Sequence, residues 1–316
     1  MSLALRAVVF ASIAAGVALV GGCAAHAPDQ GGTGVSFTAA PSASPGTDFA
    51  RPVDIPGGRR LYLECRGSGS PTVVLISGTG GAADEWMSAV ATADPAAPPT
   101  PSTQSVFDTL ARTGRVCAYD RPGTTLMSGA PDRSTSVAQP TTALQDVVDL
   151  QALLTAAGEP GPYVLVGASW GGMIAQQFAR QHPGETKGIV LVDAASVYLK
   201  STLTPMQWSN WMATNATAHA KSPDAESPDY ETSVAELQAG AVAPRIPAAV
   251  LSSDRPWDLG VTPGASTWPA WTQAQELLAH SLDATHITDT HSGHGIAVEQ
   301  PALVATAIRQ VVERVR

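Results

Sequence analysis

Only one serine in the chain sits in a G-x-S-x-G frame: Ser169, in Gly167-Ala168-Ser169-Trp170-Gly171. An apolar stretch, Tyr163 to Val166, precedes it and a helical run, Met173 to Gln181, follows. That context presents a serine on a tight strand-to-helix bend, where the positions two residues away must lack bulk. The helix N-terminus that follows favours negative charge developing nearby. A serine hydroxyl is a poor nucleophile without a base, and His294 is the first candidate. It lies in Ser292-Gly293-His294-Gly295, between an apolar strand at His286–Thr288 and a helical run at Pro301–Val312. Its flanking glycines allow the backbone to carry an imidazole over a sheet edge. His291 is the rival and is expected at the end of the strand. His182, in Gln-His-Pro, reads as a surface residue, and His26, His219, His280 and His286 lack supporting context.

An acid must orient that imidazole. Asp254, ending Ala-Val-Leu-Ser-Ser-Asp, is the first expectation, with Asp193 and Asp258 as alternatives. Asp193 ends the apolar run Ile189–Val192, and Asp258 follows Arg255-Pro256-Trp257. An Asp at a strand end is also a common helix cap. Acyl transfer further requires donors for an oxyanion. Ser77-Gly78-Thr79-Gly80-Gly81 follows the strand Val73–Ile76, and the N–H groups of Thr79 and Trp170 are the expected pair. Each such donor is worth roughly 2.7–4 kcal/mol. The loop has no G-K-[ST] and no dinucleotide fingerprint, which argues against phosphate binding.

The elements needed to hold these residues are legible in outline. Arg51–Ile55 and Arg60–Cys65 flank Gly57-Gly58 as a hairpin. Further apolar strands are expected at Val116–Tyr119, Tyr163–Val166, Ile189–Val192 and Ala248–Leu251, alternating with helices. Near-continuous apolar strands of this kind imply a mostly parallel sheet covered on both faces. A helix over Thr141–Ala157 is expected to turn Leu144, Val147, Val148, Gln151 and Leu154 towards the sheet, with Gly158 and Pro160 stopping it. Between about 196 and 245 the strand–helix rhythm breaks. That insertion, with Met206, Trp208, Trp211 and Met212 followed by a polar run, reads as a small helical cap over the C-terminal edge of the sheet. Trp170, Trp208, Trp211 and Trp257 are candidates for lining an apolar acyl pocket.

With 316 residues, 44% of them hydrophobic, the chain is long enough for one large α/β domain. A net charge of −9 without a Lys/Arg stripe argues against a nucleic-acid partner. The N-terminus has the order of a secretory signal: Arg6, an apolar run from Ala7 to Val20, then Gly21-Gly22-Cys23. Val20-Gly21-Gly22-Cys23 resembles the lipobox of bacterial lipoproteins, making Cys23 the candidate for lipidation and the membrane the expected partner. The alternative is an ordinary secretory cut near Ala24 or Ala25. The expected division is a signal peptide over 1–22, a tether rich in Ala, Gly, Pro, Ser and Thr over 23–48, and a folded domain over 49–316. The Pro-rich stretch Asp94–Ser102 reads as a surface loop. Cys65 and Cys117 are then either an even pair in an oxidising compartment or two buried thiols. No CxxC or Cys/His cluster suggests a metal.

Taken as a set, Leu75–Gly81, Cys117–Gly123, Tyr163–Gly172, Val190–Asp193 and Ser292–His294 resemble bacterial α/β-hydrolases of the esterase and lipase-like group. The resemblance spans roughly residues 50 to 316. It implies an eight-stranded sheet, no cofactor, and the chain order serine, acid, histidine. It also implies that the Cys65 and Cys117 strands are neighbours, which makes a disulfide reasonable. Ser77 stands where relatives commonly have His, and Ala168 rather than His precedes the nucleophile. Relatives acting on epoxides or haloalkanes have Asp at the Ser169 position, so acyl chemistry on a small-molecule ester is the expected reaction. A thioesterase or iminopeptidase-like peptidase on the same triad, or a non-catalytic envelope lipoprotein keeping the fold, are the alternatives. The oligomeric state is not indicated.

Overall fold

A computed structural model describes residues 46–91 and 97–316. The expected signal segment, most of the tether and Cys23 lie outside the described residues, as does part of the Asp94–Ser102 stretch. Among the described residues no helix is long and apolar enough to cross a membrane.

Eight strands form one sheet: β1 (Phe49–Ile55), β2 (Arg59–Arg66), β3 (Thr72–Ile76), β4 (Val116–Tyr119), β5 (Tyr163–Ala168), β6 (Thr186–Val192), β7 (Ala248–Leu251) and β8 (Thr285–Ile287). Their spatial order is β1-β2-β4-β3-β5-β6-β7-β8. β1 and β2 form the expected hairpin, β2 joins β4 antiparallel, and the strands from β4 to β8 run parallel. Alternate residues of each central strand enter different cores. Val74, Ile76, Leu165, Ile189, Leu191 and Val250 pack beneath α2 (Ala143–Ala157), α3 (Trp170–Gln181) and α7 (Trp268–Ser281). Val73, Leu75, Val164, Val166, Val190 and Leu251 pack on the other face against α1 (Val106–Ala111), α8 (Ile296–Glu299) and α9 (Pro301–Val315).

Between β6 and β7 the chain runs through α4 (Leu199–Thr202), α5 (Pro205–Lys221) and α6 (Tyr230–Ala239). Thr204 opens α5 with a capping box to Gln207, the reciprocal bonding that satisfies two end groups at once. Trp208, Trp211 and Tyr230 are buried in this segment and join the α2/α3 core.

One helix face differs from its expected form. The core-facing residues of α2 are Ala143, Asp146, Val147, Leu150, Leu153, Leu154 and Ala157, while Val148 is 61% exposed. Successive residues of a helix are 100° apart, and the buried face already spans Asp146 with Val147 and Leu153 with Leu154, so Val148, a further 100° on from Val147, falls on the solvent side. The buried carboxyl of Asp146 occupies a core-facing position and displaces the apolar stripe that a purely hydrophobic reading finds.

Cys65 and Cys117 face each other across the antiparallel β2/β4 pair and are joined by a disulfide. The link closes a loop with a sequence separation of 52, which by chain entropy stabilises the fold by about 4 kcal/mol. Replacing both cysteines by alanine should therefore lower the thermal midpoint by roughly 8–16 °C. Unchanged melting of the double variant would show that the bond constrains nothing that unfolds.

Candidate active site

The site begins with two strand ends. In the parallel β5/β6 pair Ala168 lies opposite Val192, so the next residues, Ser169 and Asp193, emerge side by side at the C-terminal edge. Both adopt the left-handed region, with φ 48° at Ser169 and 42° at Asp193. A non-glycine residue there costs of order 1–3 kcal/mol and persists only where the surroundings fix it. At Ser169 they do: a Cβ on Gly167 would lie 2.2 Å from the Gly171 carbonyl oxygen, and one on Gly171 would lie 2.2 Å from that of Ile76. Chain approaches this close admit only glycine at both flanks of the bend.

The Asp193 side chain is fully buried, and both carboxylate oxygens have partners. One accepts the backbone N–H of Ser253 at 3.1 Å, and the other is 2.6 Å from Nδ1 of His294. Asp193, not Asp254, is thus the acid against the His294 ring. Asp254 instead accepts the backbone N–H groups of His291 and Ser292, both at 2.9 Å. Slight burial raises its carboxyl pKa, but these donors outweigh that and hold it below the usual range. Two residues, Ser252 and Ser253, separate Asp254 from the end of β7, so it overshoots the imidazole and ties down the loop that carries it. Asp258 accepts from Gly260 and Thr267 and closes a turn ahead of α7. His291 is left on the surface, 71% exposed at its side chain.

Two indoles enclose the imidazole. The rings of Trp257 and Trp271 stand 4.1 and 5.4 Å from it, centroid to centroid. Trp271 escaped the sequence reading because it sits within α7, where a tryptophan reads as ordinary core. The other tryptophans pack elsewhere: Trp170 and Trp211 both contact Tyr230, and Trp208 contacts Trp211. Ser169 and His294 are not hydrogen-bonded to each other in this structure. Contacts between nucleophile and base are commonly loose in a substrate-free enzyme and tighten on binding.

Gly78 lies flat on the serine; a Cβ there would be 3.2 Å from Ser169 Cβ. In the loop that follows, the N–H groups of Gly80, Gly81 and Ala82 are taken by Glu226, Gly78 and Thr125 respectively. Among the described residues no such acceptor takes the Thr79 N–H. Trp170 begins α3, so its N–H is one of the four at a helix start that lack an internal partner. Neither expected donor is therefore committed to an acceptor among the described residues.

A buried polar network underlies this loop, and sequence reading missed most of it. Arg121, after β4, pairs with Glu226 of the cap. Burial opposes the Arg121 charge, but Glu226 outweighs it and leaves the guanidinium pKa above its ordinary value. Burial also raises the Glu85 carboxyl, against the pull of Arg121, the Gly78 N–H and His294. Arg121 was visible within Asp120-Arg121-Pro122-Gly123; Glu226 lies in a polar run with no signal. Among the described residues two groups lie close enough to hold a cation: Cys65, Cys117 and Glu159, whose cysteines are joined in the disulfide, and Asp254, Asp289 and His291, which are exposed and in which both oxygens of Asp254 already accept backbone donors. A cavity of about 540 Å³ in the cap is lined by Trp208, Met212, His219 and Tyr230, and includes neither Ser169 nor His294.

A family model described as the alpha/beta hydrolase fold matches residues 71–282. The chain belongs to the alpha/beta hydrolase fold family. An uncharacterized protein of Schizosaccharomyces pombe is 33% identical over 150 residues, 44% of this chain; the match spans only 26% of that protein's length. A thermophilic esterase from Thermogutta terrifontis superposes with a TM-score of 0.56 at 18% identity, covering 84% of this chain and 99% of the esterase. The haloalkane dehalogenase DatA from Agrobacterium tumefaciens C58 superposes with a TM-score of 0.57 at 15% identity, covering 85% and 98%. The two solved structures share the architecture of this chain, and at these identities the fold is all that they establish here.

Asp146 is a buried titratable group beside Trp170. Its carboxylate accepts the indole N–H of Trp170 at 3.1 Å. Burial, then the charge of Glu226, pushes its pKa from 3.8 up to about 7. A folded-state pKa above the unfolded value stabilises the fold at low pH, and that contribution is lost as pH rises through 7. Asn at this position keeps an acceptor for Trp170 but cannot titrate. Between pH 5 and 7 the wild type should lose stability relative to Asp146→Asn by roughly 1 kcal/mol per pH unit, the slope flattening as pH reaches 7. Parallel pH profiles in urea unfolding would refute the buried, protonated carboxyl.

Proposed function

We propose that this α/β-hydrolase is an exported serine hydrolase that cleaves carboxylic esters through an acyl-enzyme on Ser169. The observation that carries the reading is the buried Asp193 carboxylate 2.6 Å from His294 Nδ1, on the edge where Ser169 emerges from its strained bend. Ser169 Oγ attacks the ester carbonyl while His294 Nε2 takes its proton. Asp193 fixes the ring with Nε2 towards the serine and stabilises the imidazolium. The N–H groups of Thr79 and Trp170 receive the oxyanion. His294 then returns the proton to the leaving alcohol, and water, activated by the same imidazole, releases the acid and regenerates Ser169. Trp257, tilted over the ring at 4.1 Å, and Trp271, at right angles to it at 5.4 Å, support this cycle by restricting the imidazole. Serine rather than aspartate at the bend favours acyl transfer over haloalkane or epoxide opening, the reactions that the resemblance associates with aspartate there. Export and attachment to the outer face of the membrane rest on the Arg6–Cys23 segment, with Cys23 as the lipidated residue.

Fluorophosphonate should label the mature protein and p-nitrophenyl esters should be turned over, with both activities absent in Ser169→Ala. Asp193→Asn should lower kcat about 10⁴-fold by leaving the ring in the wrong tautomer, whereas Asp254→Asn should cost far less. The reverse order would reassign the acid; no labelling of folded wild type would end the serine-hydrolase reading. Cys23→Ala should move the protein from the membrane fraction to the medium or soluble fraction, and retention in the membrane would exclude a lipid on that cysteine.

A further inference from the structure

Thr79 is gripped from three directions by residues outside its own loop. Arg121 and Glu226 form an ion pair whose side chains are 2% and 1% exposed. The Arg121 terminal nitrogen that bonds Glu226 at 3.1 Å also donates to the Gly78 carbonyl oxygen at 2.6 Å. The Glu226 carboxylate, in turn, accepts the Gly80 N–H. Its own backbone N–H donates to the carbonyl of Gly123, two residues after Arg121 in the same turn, at 2.8 Å. The third contact is between hydroxyls: Thr79 Oγ1 and Tyr230 Oη are 3.0 Å apart.

The consequence follows from peptide planarity. The Gly78 carbonyl and the Thr79 N–H belong to one rigid trans unit and point in opposite directions. Fixing the carbonyl on Arg121 therefore fixes the direction in which the Thr79 N–H points. Fixing the Gly80 N–H on Glu226 does the same for the next peptide plane, which carries the Thr79 carbonyl. Stability alone is a poor account of the pair, because removing two charges from water costs about as much as their attraction returns, and apolar replacements are often neutral.

We propose that Arg121 and Glu226 are positioning residues for the oxyanion hole: together they aim the Thr79 N–H at the site beside Ser169. Glu226 and Tyr230 both belong to the cap, so the hole is complete only when the cap is seated on the Gly78–Gly80 loop. The inference rests on the serine-hydrolase reading and deepens it.

The test compares wild type with Glu226→Gln and with the double variant Arg121→Met/Glu226→Leu, which removes both charges and leaves none buried alone. Three readouts are needed: p-nitrophenyl acetate kinetics, inhibition by a trifluoromethyl ketone, and the thermal midpoint. The ketone forms a tetrahedral adduct with Ser169 whose oxygen requires the hole. In the double variant kcat should fall about 10²-fold, the cost of losing one oxyanion donor, with KM within about threefold. Ketone affinity should fall by a similar factor while the thermal midpoint stays near that of wild type. Glu226→Gln, which retains an acceptor for the Gly80 N–H, should show the same joint loss at about a tenth of the size. A folded double variant with wild-type kcat and ketone affinity would overturn the proposal. So would a loss of kcat without weaker ketone binding in either variant. A wild type inert towards both reagents would instead overturn the hydrolase reading, and the clamp with it.

Discussion

A carboxylate sealed from water at the end of β6 constrains the whole site. Left without partners, a buried charge of that kind would cost several kcal/mol. Asp193 meets the cost with a backbone donor from Ser253 after β7 and with the imidazole of His294. Those contacts join two strand ends and a loop close to the chain terminus. The β5/β6 register then places the serine next to the acid. Asp193 and His294 meet beside the strand end that carries Ser169 because one sheet edge brings together chain segments about a hundred residues apart.

Much of this was legible in the chain itself. The apolar runs marked the strands of the sheet to within three residues at either end, since a strand buried on both faces has no alternation to misread. Ser169 announced itself through glycines that steric contact makes obligatory. The choice of acid was not legible, because Asp193 and Asp254 both follow apolar strands. What separates them is an offset invisible in one dimension: Asp193 directly follows its strand, whereas Asp254 stands beyond two serines and turns back onto the histidine loop. Val148 misled for a related reason. Hydrophobic periodicity weighs apolar residues only, and Asp146 occupies the core face of α2 as a buried hydrogen-bonding partner.

Those two misreadings share a cause. Around the oxyanion loop the protein buries Asp146, Glu226, Arg121 and Tyr230, and buried polar groups are held in place by the partners that satisfy them. Sequence patterning is informative about apolar burial and nearly silent about polar burial, since a Glu within a Pro/Asp/Ser-rich run looks the same whether solvated or paired. Glu226 is the extreme case: its segment carries the composition of a surface loop, yet its carboxylate is among the most enclosed of the described residues.

The two expected oxyanion donors consequently differ in how they are held. The Trp170 N–H is fixed by covalent geometry and sheet packing: a strained serine, glycines on either side that leave no room for change, and a helix beginning at once. Thr79 has no comparable scaffold, for its loop is rich in glycine and is held by side chains reaching in from the turn after β4 and from the cap. An entropic cost that Trp170 meets through local sequence is met at Thr79 through tertiary contacts. Changes to the cap can therefore reach the chemistry by altering the aim of one donor, without touching serine, histidine or aspartate. The sheet side of the site is fixed by its backbone geometry, and the cap side is where side-chain contacts set the aim of the loop.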